Sequence, residues 1–163
     1  MSQLPSEVPH QRFEGFPPGV RATPVPSPLL GPLLAQVDDL GELKVVLRAV
    51  ALLHGKRGFP RYLTLGELAA DPVLAQGLPP GATVPEAVRR AVARGVLLAL
   101  RVERDGHTHE VLALNDGVGR RSLEALRRDP AVAAASPPPE APAAAPNIFA
   151  LYEQVIGLIN PII

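Results

Sequence analysis

Cysteine and tryptophan are missing from this chain, and aromatic residues of every kind make up only 4% of it. Without cysteine there is no disulfide, no thiolate nucleophile and no Cys-ligated zinc, a composition that fits a reducing compartment. Net charge is missing as well, since 16 Lys/Arg balance 16 Asp/Glu, so charge by region says more than the total. No apolar run reaches the roughly 18 residues that span a bilayer. Nor do the first residues show the basic-then-apolar order of a secretory signal. The expectation is a soluble, cytoplasmic protein with no membrane contact.

What is abundant is proline, with 20 residues in 163, and it is unevenly spread. Eight lie at or before Pro32 and six between Pro130 and Pro146. That distribution outlines an N-terminal arm (1–35), one globular domain (36–128), a Pro/Ala-rich spacer (129–146) and a closing segment (147–163). The apolar fraction of 47% is enough for one core. Residues 83–128 carry nine Lys/Arg against six acids, whereas residues 129–163 carry three acids and no Lys/Arg. The second half of the central domain therefore points toward a polyanion or an acidic partner surface.

Within the central domain one start signal recurs. Asp39-Leu40-Gly41-Glu42, Thr64-Leu65-Gly66-Glu67 and Thr83-Val84-Pro85-Glu86 each place a capping side chain three residues before a Glu, the pattern that satisfies orphaned N–H groups of a first helical turn. The first predicted helix runs from Asp39 to His54 with Leu43, Val46, Leu47, Val50 and Leu53 on one face. A short extended piece, Phe59 to Leu63, follows. The second helix spans Leu65 to Leu74 and is interrupted by Pro72, which fits the start of an extra turn better than a helix interior. The third, Val84 to Arg94, turns Val84, Val88, Ala91 and Val92 inward, and Gly95 stands where a left-handed cap belongs.

The periodicity then changes to two. Val96 to Arg104 and His109 to Asn115 read as strands, with Leu98, Leu100 and Val102 on one face and Asp105-Gly106 as the hairpin signal between them. A last helix, Val118 to Arg128, buries Leu123 and Leu126. The expected class is mainly α with a small β-hairpin, arranged as a winged helix-turn-helix domain whose hairpin is the wing.

In a DNA-binding winged helix the third helix enters the major groove and the wing touches the backbone. The residues at those places are Arg89, Arg90 and Arg94 on the helix, with Arg101, Arg104, His107 and His109 around the hairpin. Two readings stay open for them. Glu86 stands three and four residues before Arg89 and Arg90, the spacing of helix-surface ion pairs. The alternative is phosphate contact, weak or non-specific, because no Asn, Gln, Ser or Thr lies between Pro85 and Arg94 to read base edges. In the arm, Leu29, Leu30, Leu33 and Leu34 fall within a short helix predicted from Ser27 to Gln36. They either pack on the first helix of their own domain or meet the same patch of a second copy.

No catalytic constellation, cofactor site or metal site is expected. His107 and His109 alternate onto one strand face but have no third ligand at a diagnostic spacing. Gly55-Lys56-Arg57-Gly58 lacks the strand–loop–helix context of a phosphate-cradling loop, and no nucleophile-elbow pattern occurs.

The closing segment places Ile148, Leu151, Tyr152, Val155 and Ile159 at helical spacing. Ile148, Phe149, Tyr152, Glu153, Gly157, Asn160 and Pro161 together resemble the opening helix of the C-terminal domain of DnaD-like bacterial replication-initiation proteins, which reads Ile-Phe-x-x-Tyr-Glu-x-x-x-Gly before a Thr/Asn-Pro turn. The likeness covers about seventeen residues there, and more weakly residues 20–128. It implies a non-enzymatic part in primosome assembly and helicase loading, with a self-associating winged-helix domain, a DNA-binding C-terminal domain and other replication-initiation proteins as partners. Residues 147–163 would then be the first helix of that C-terminal domain, cut short. The competing expectations are a dimeric winged-helix transcription regulator and an adaptor whose final helix docks into another protein's groove.

Overall fold

The computed structural model describes residues 12–135. The closing segment, with Ile148, Phe149, Tyr152, Glu153 and Gly157, lies outside the described residues, as does residue 136 onward of the spacer. The described chain is mixed: helices α1 (Ser27–Leu30), α2 (Leu40–Gly55), α3 (Leu65–Ala69), α4 (Pro72–Gly77), α5 (Val84–Ala93) and α6 (Gly117–Arg128), with strands β1 (Leu63–Thr64), β2 (Leu97–Arg104) and β3 (His107–Leu114). The strands form an antiparallel sheet in the order β1-β3-β2.

Every helix from α2 onward starts on a side-chain cap. Asp39, Thr64, Asp71, Thr83 and Asp116 each accept a backbone N–H of the first turn. Only Thr64 and Glu67 close a reciprocal capping box. The expected second helix is two: α3 stops at Ala69, and α4 restarts with Asp71 as cap and Pro72 in its first turn, where a missing N–H costs nothing.

The α5–β2 corner follows from Gly95. At φ +79° it lets Val96 N–H reach Ala91 O at 3.0 Å and Gly95 N–H reach Val92 O at 2.9 Å, the paired bonds of a Schellman cap. At the hairpin tip Asp105 (φ 53°) and Gly106 (φ 74°) both adopt the left-handed conformation, as a two-residue type I′ turn requires. The tight turn pairs Arg104 with His107 directly, so β3 begins two residues earlier than expected from alternation alone.

The sheet divides the apolar residues into two cores. On one face Leu97 and Leu112 join Val45, Val46, Ala49 and Val50 of α2 and Val84, Ala87, Val88 and Ala91 of α5. On the other, Val102 and Val111 pack with Tyr62 and with Leu126 of α6, flanked by Leu100 and Leu123. This matches period-two alternation along β2 and β3.

On α2 the buried arc differs from the expected one. Glu42, Val45, Val46, Ala49, Val50 and Leu53 are buried, whereas Leu47 is 40% exposed. Small residues decide this. Gly41 lies so close to the loop before α5 that a Cβ there would stand 3.1 Å from the Ala82 Cβ, and Ala49 is wholly buried. Leu47 instead lines a shallow groove with Val73 and Leu74 of α4. In the arm, Leu29 is buried in the main core with Val25 and Leu33 partly buried against it, so the packed unit begins near Val25.

Two tight points hold the smaller elements. A Cβ on Gly119 would fall 1.8 Å from Leu114 O, so α6 starts in backbone contact with the end of β3. Gly119→Ala is expected to cost about 3 kcal/mol by overpacking, read as a lower urea midpoint. Asp71, 6% exposed, accepts both α4 amides and a two-pronged bond from Arg48, Nε at 3.0 Å and Nη2 at 2.8 Å. The Arg48 guanidinium, outweighing burial, holds its carboxyl below the usual range. A depressed folded pKa stabilises above the unfolded value and loses that contribution as pH falls through the folded one. Asp71→Asn should therefore lower stability at neutral pH by about 2 kcal/mol and flatten the loss of helical circular dichroism below about pH 4.

Candidate nucleic-acid interface

The three arginines expected to face a polyanion, Arg89, Arg90 and Arg94, do share one end of the domain, where α5 packs beside the start of α2. Their helix is strongly two-sided, with Val84, Ala87, Val88 and Ala91 buried and the charged residues opposite. What surrounds those charges is acidic. Glu86 binds Arg89 through Nε at 3.2 Å and Arg90 through Nε at 3.3 Å. Arg90 Nη1 also donates to Asp39 Oδ2 at 2.7 Å. Three arginines thus stand against four carboxylates, Asp38, Asp39, Glu42 and Glu86.

Arg94 is the most committed of the three. Its Nε and Nη2 reach the two Glu42 oxygens at 2.7 and 3.1 Å, and Glu42 is fully buried. The Glu42 hydrogen bond raises the Arg94 pKa further. Arg89, with its side chain 73% exposed, is the one whose guanidinium reaches solvent most freely, and its Glu86 partner likewise raises its pKa. The Glu86 carboxyl is held below its usual range, by Arg89 first and Arg90 second. Two of the three capping-box glutamates have therefore turned from the helix start toward an arginine.

The hairpin candidates divide between the two faces of the sheet. Arg104 pairs across the strands with His107, and Val102 with His109, so Arg104, His107 and His109 share the face that α6 covers. Arg101 sits opposite Glu110 on the other face. Arg104 Nε lies 3.4 Å from Asp105 at the turn, an exposed pair that contributes little. Among the described residues no group of three His, Cys, Asp or Glu could hold a metal ion, and no helix is long and apolar enough to cross a membrane.

Sequence spacing identified the Glu86 pairs, but the contacts with Asp39 and Glu42 join residues about 50 positions apart, which no local pattern encodes. Asp71 gave no signal beyond its place before Pro72. The four arm leucines also part company: Leu29 is buried and Leu33 half-buried, while Leu30 and Leu34 are 61% and 44% exposed.

Removing one partner of a buried ion pair strands the other. Arg94→Leu is therefore expected to lower the melting temperature by about 10 °C or more, whereas Arg89→Ala leaves it unchanged within error in the same calorimetric series.

Comparison of the chain with protein-family models, with curated proteins and with solved structures finds no match.

Proposed function

We propose that this chain is a non-enzymatic winged-helix scaffold of the DnaD-like replication-initiation type, acting by self-association in primosome assembly, with DNA contact only auxiliary. The observation that carries the reading is the commitment of the α5 arginines to carboxylates of their own chain. A reader helix needs its guanidinium groups available for phosphate or guanine; here Arg90 and Arg94 serve the α2–α5 junction instead. This disfavours the transcription-regulator alternative, in which α5 reads an operator half-site.

Further support comes from topology and from the surface. The order α2, β1, α3, α4, α5, β2, β3, α6 with sheet order β1-β3-β2 agrees with the winged-helix arrangement, the β2–β3 hairpin being the wing. Leu30, Leu34, Leu40, Leu47 and Val73 leave apolar side chains on the outside of the domain, the kind of surface that a second copy or a protein partner covers. The residues that resemble the DnaD-like C-terminal domain, 148–161, lie behind the Pro/Ala spacer. Scaffold fold does not specify function, so the proposal stands on the site chemistry and that resemblance.

The full chain is expected to sediment as a dimer or larger at tens of micromolar. Leu30→Glu with Leu34→Glu should shift it to monomer without lowering the melting temperature, since neither side chain is in the core. A monomeric wild type would overturn the scaffold reading.

A further inference from the structure

Cations without a carboxylate partner also occur away from α5, at and near the α2–β1 loop. From Leu43 to Gly66 the chain runs 24 residues with five Lys/Arg and no Asp or Glu. Its last part, Lys56-Arg57-Gly58-Phe59-Pro60-Arg61, is the loop between α2 and β1. Phe59 is 57% exposed at that loop, although most aromatic side chains of a folded domain bury their rings.

Neighbouring elements bring more arginine to the loop. The Arg61 amide donates to Ser122 Oγ at 2.9 Å, which seats the loop against the middle of α6. The adjacent Arg121 folds back so that its Nη1 lies 3.5 Å from where a Cβ on Gly117 would stand, toward the positive end of the α6 dipole. Arg61 Nε donates to Gly58 O at 3.1 Å, so its guanidinium lies beside the Phe59 segment. On the loop's other side, Arg21 of the arm joins Lys56 and Arg57 around one depression.

The carboxylates here are already occupied. Lys56 holds Glu67 at 2.7 Å and Arg48 holds Asp71 at 2.8 Å, and Asp116 caps α6 through Gly119 N–H. Arg21, Arg57 and Arg121 make no hydrogen bond or ion pair among the described residues. Arginines on both sides of an exposed aromatic residue in one loop match the chemistry of a single-stranded nucleic acid. Its phosphates need cations, and its unpaired bases need a ring to stack on. A duplex keeps its bases stacked within and offers nothing to Phe59, and the loop presents no helix or ribbon to a major groove.

We propose that the α2–β1 loop, with Arg21 and Arg121 at its flanks, is a binding surface for single-stranded nucleic acid, reading phosphate through Arg57, Arg61, Arg21 and Arg121 and stacking a base on Phe59. The surface is independent of the α5 arginines and of the family resemblance. It selects strand state rather than base sequence, because every base has a face to stack.

The test is fluorescence anisotropy of a labelled oligothymidine 20-mer with the full chain, titrated from 50 to 200 mM salt. Four phosphate contacts predict a slope of log affinity on log salt of about −3. Phe59→Ala is expected to weaken binding roughly tenfold with that slope unchanged. Arg21→Gln/Arg57→Gln/Arg121→Gln, which touches no described contact of the fold, should leave only the Arg61 contact and reduce the slope to about −0.7. The same oligothymidine annealed to its complement should bind at least tenfold more weakly. The proposal is overturned if the wild type fails to bind at 50 mM salt, or if the triple variant binds as the wild type does. It is overturned equally if a polyglutamate peptide competes as well as the oligonucleotide while Phe59→Ala has no effect, the mark of a general acidic partner.

Discussion

The buried carboxylate of Glu42 is the point on which the domain's geometry turns. It sits at the start of α2 with its side chain 1% exposed, and among the described residues the fork of Arg94, the C-cap of α5, is what compensates its charge. A carboxylate taken out of water without such a partner costs several kcal/mol, on the order of 3–5 when a pair is broken. That penalty fixes the position of the end of α5 relative to the beginning of α2. Gly95 then turns the chain out of α5 under a Schellman cap, so the same junction sets where β2 enters the sheet. With β2 placed, the type I′ turn sets the register of β3, and β3 in turn receives β1 on its free edge.

From that junction the two cores follow. One sheet face is closed by α2 and α5 and the other by α6, so each strand must be apolar on both sides where it is covered and can be polar only toward the hairpin tip. That explains why Arg101, Arg104, His107 and His109 crowd the tip. It also explains the partition of cationic side chains. Those at the end of α5 lie across from the acidic start of α2 and are paired there, whereas Arg57 on the α2–β1 loop and Arg121 on α6 pair with no carboxylate among the described residues, although Lys56 and Arg128 on the same elements do. Charge at the surface is thus organised by which helix ends the core brings together, not by how many arginines each segment holds.

Much of the local architecture was legible in the residues themselves. The caps at Asp39, Thr64 and Thr83, the turn at Asp105-Gly106 and the left-handed Gly95 all act within a few residues, and their stereochemistry admits few alternatives. The split of the expected second helix into α3 and α4 was half visible, through Pro72 but not through Asp71, whose role depends on Arg48 arriving from α2. The inward face of α2 was misjudged at Leu47 because periodicity weighs large apolar residues. The close approach at Gly41 and Ala49 selects small ones. For the candidate site, spacing exposed the i,i+3 and i,i+4 pairs of Glu86 but not the Asp39 and Glu42 partners, which are long-range.

By itself, then, the sequence determined the order and kind of the elements and the hairpin, since those depend on backbone preferences that reach no farther than a helical turn. The tertiary structure decided which arginines remain available to a ligand, which of Leu29, Leu30, Leu33 and Leu34 face the core, and that Phe59 stands exposed in its loop. Charge compensation and burial are properties of neighbours in space, and in this fold those neighbours lie about 50 positions apart at α2–α5 and 61 apart between Arg61 and Ser122.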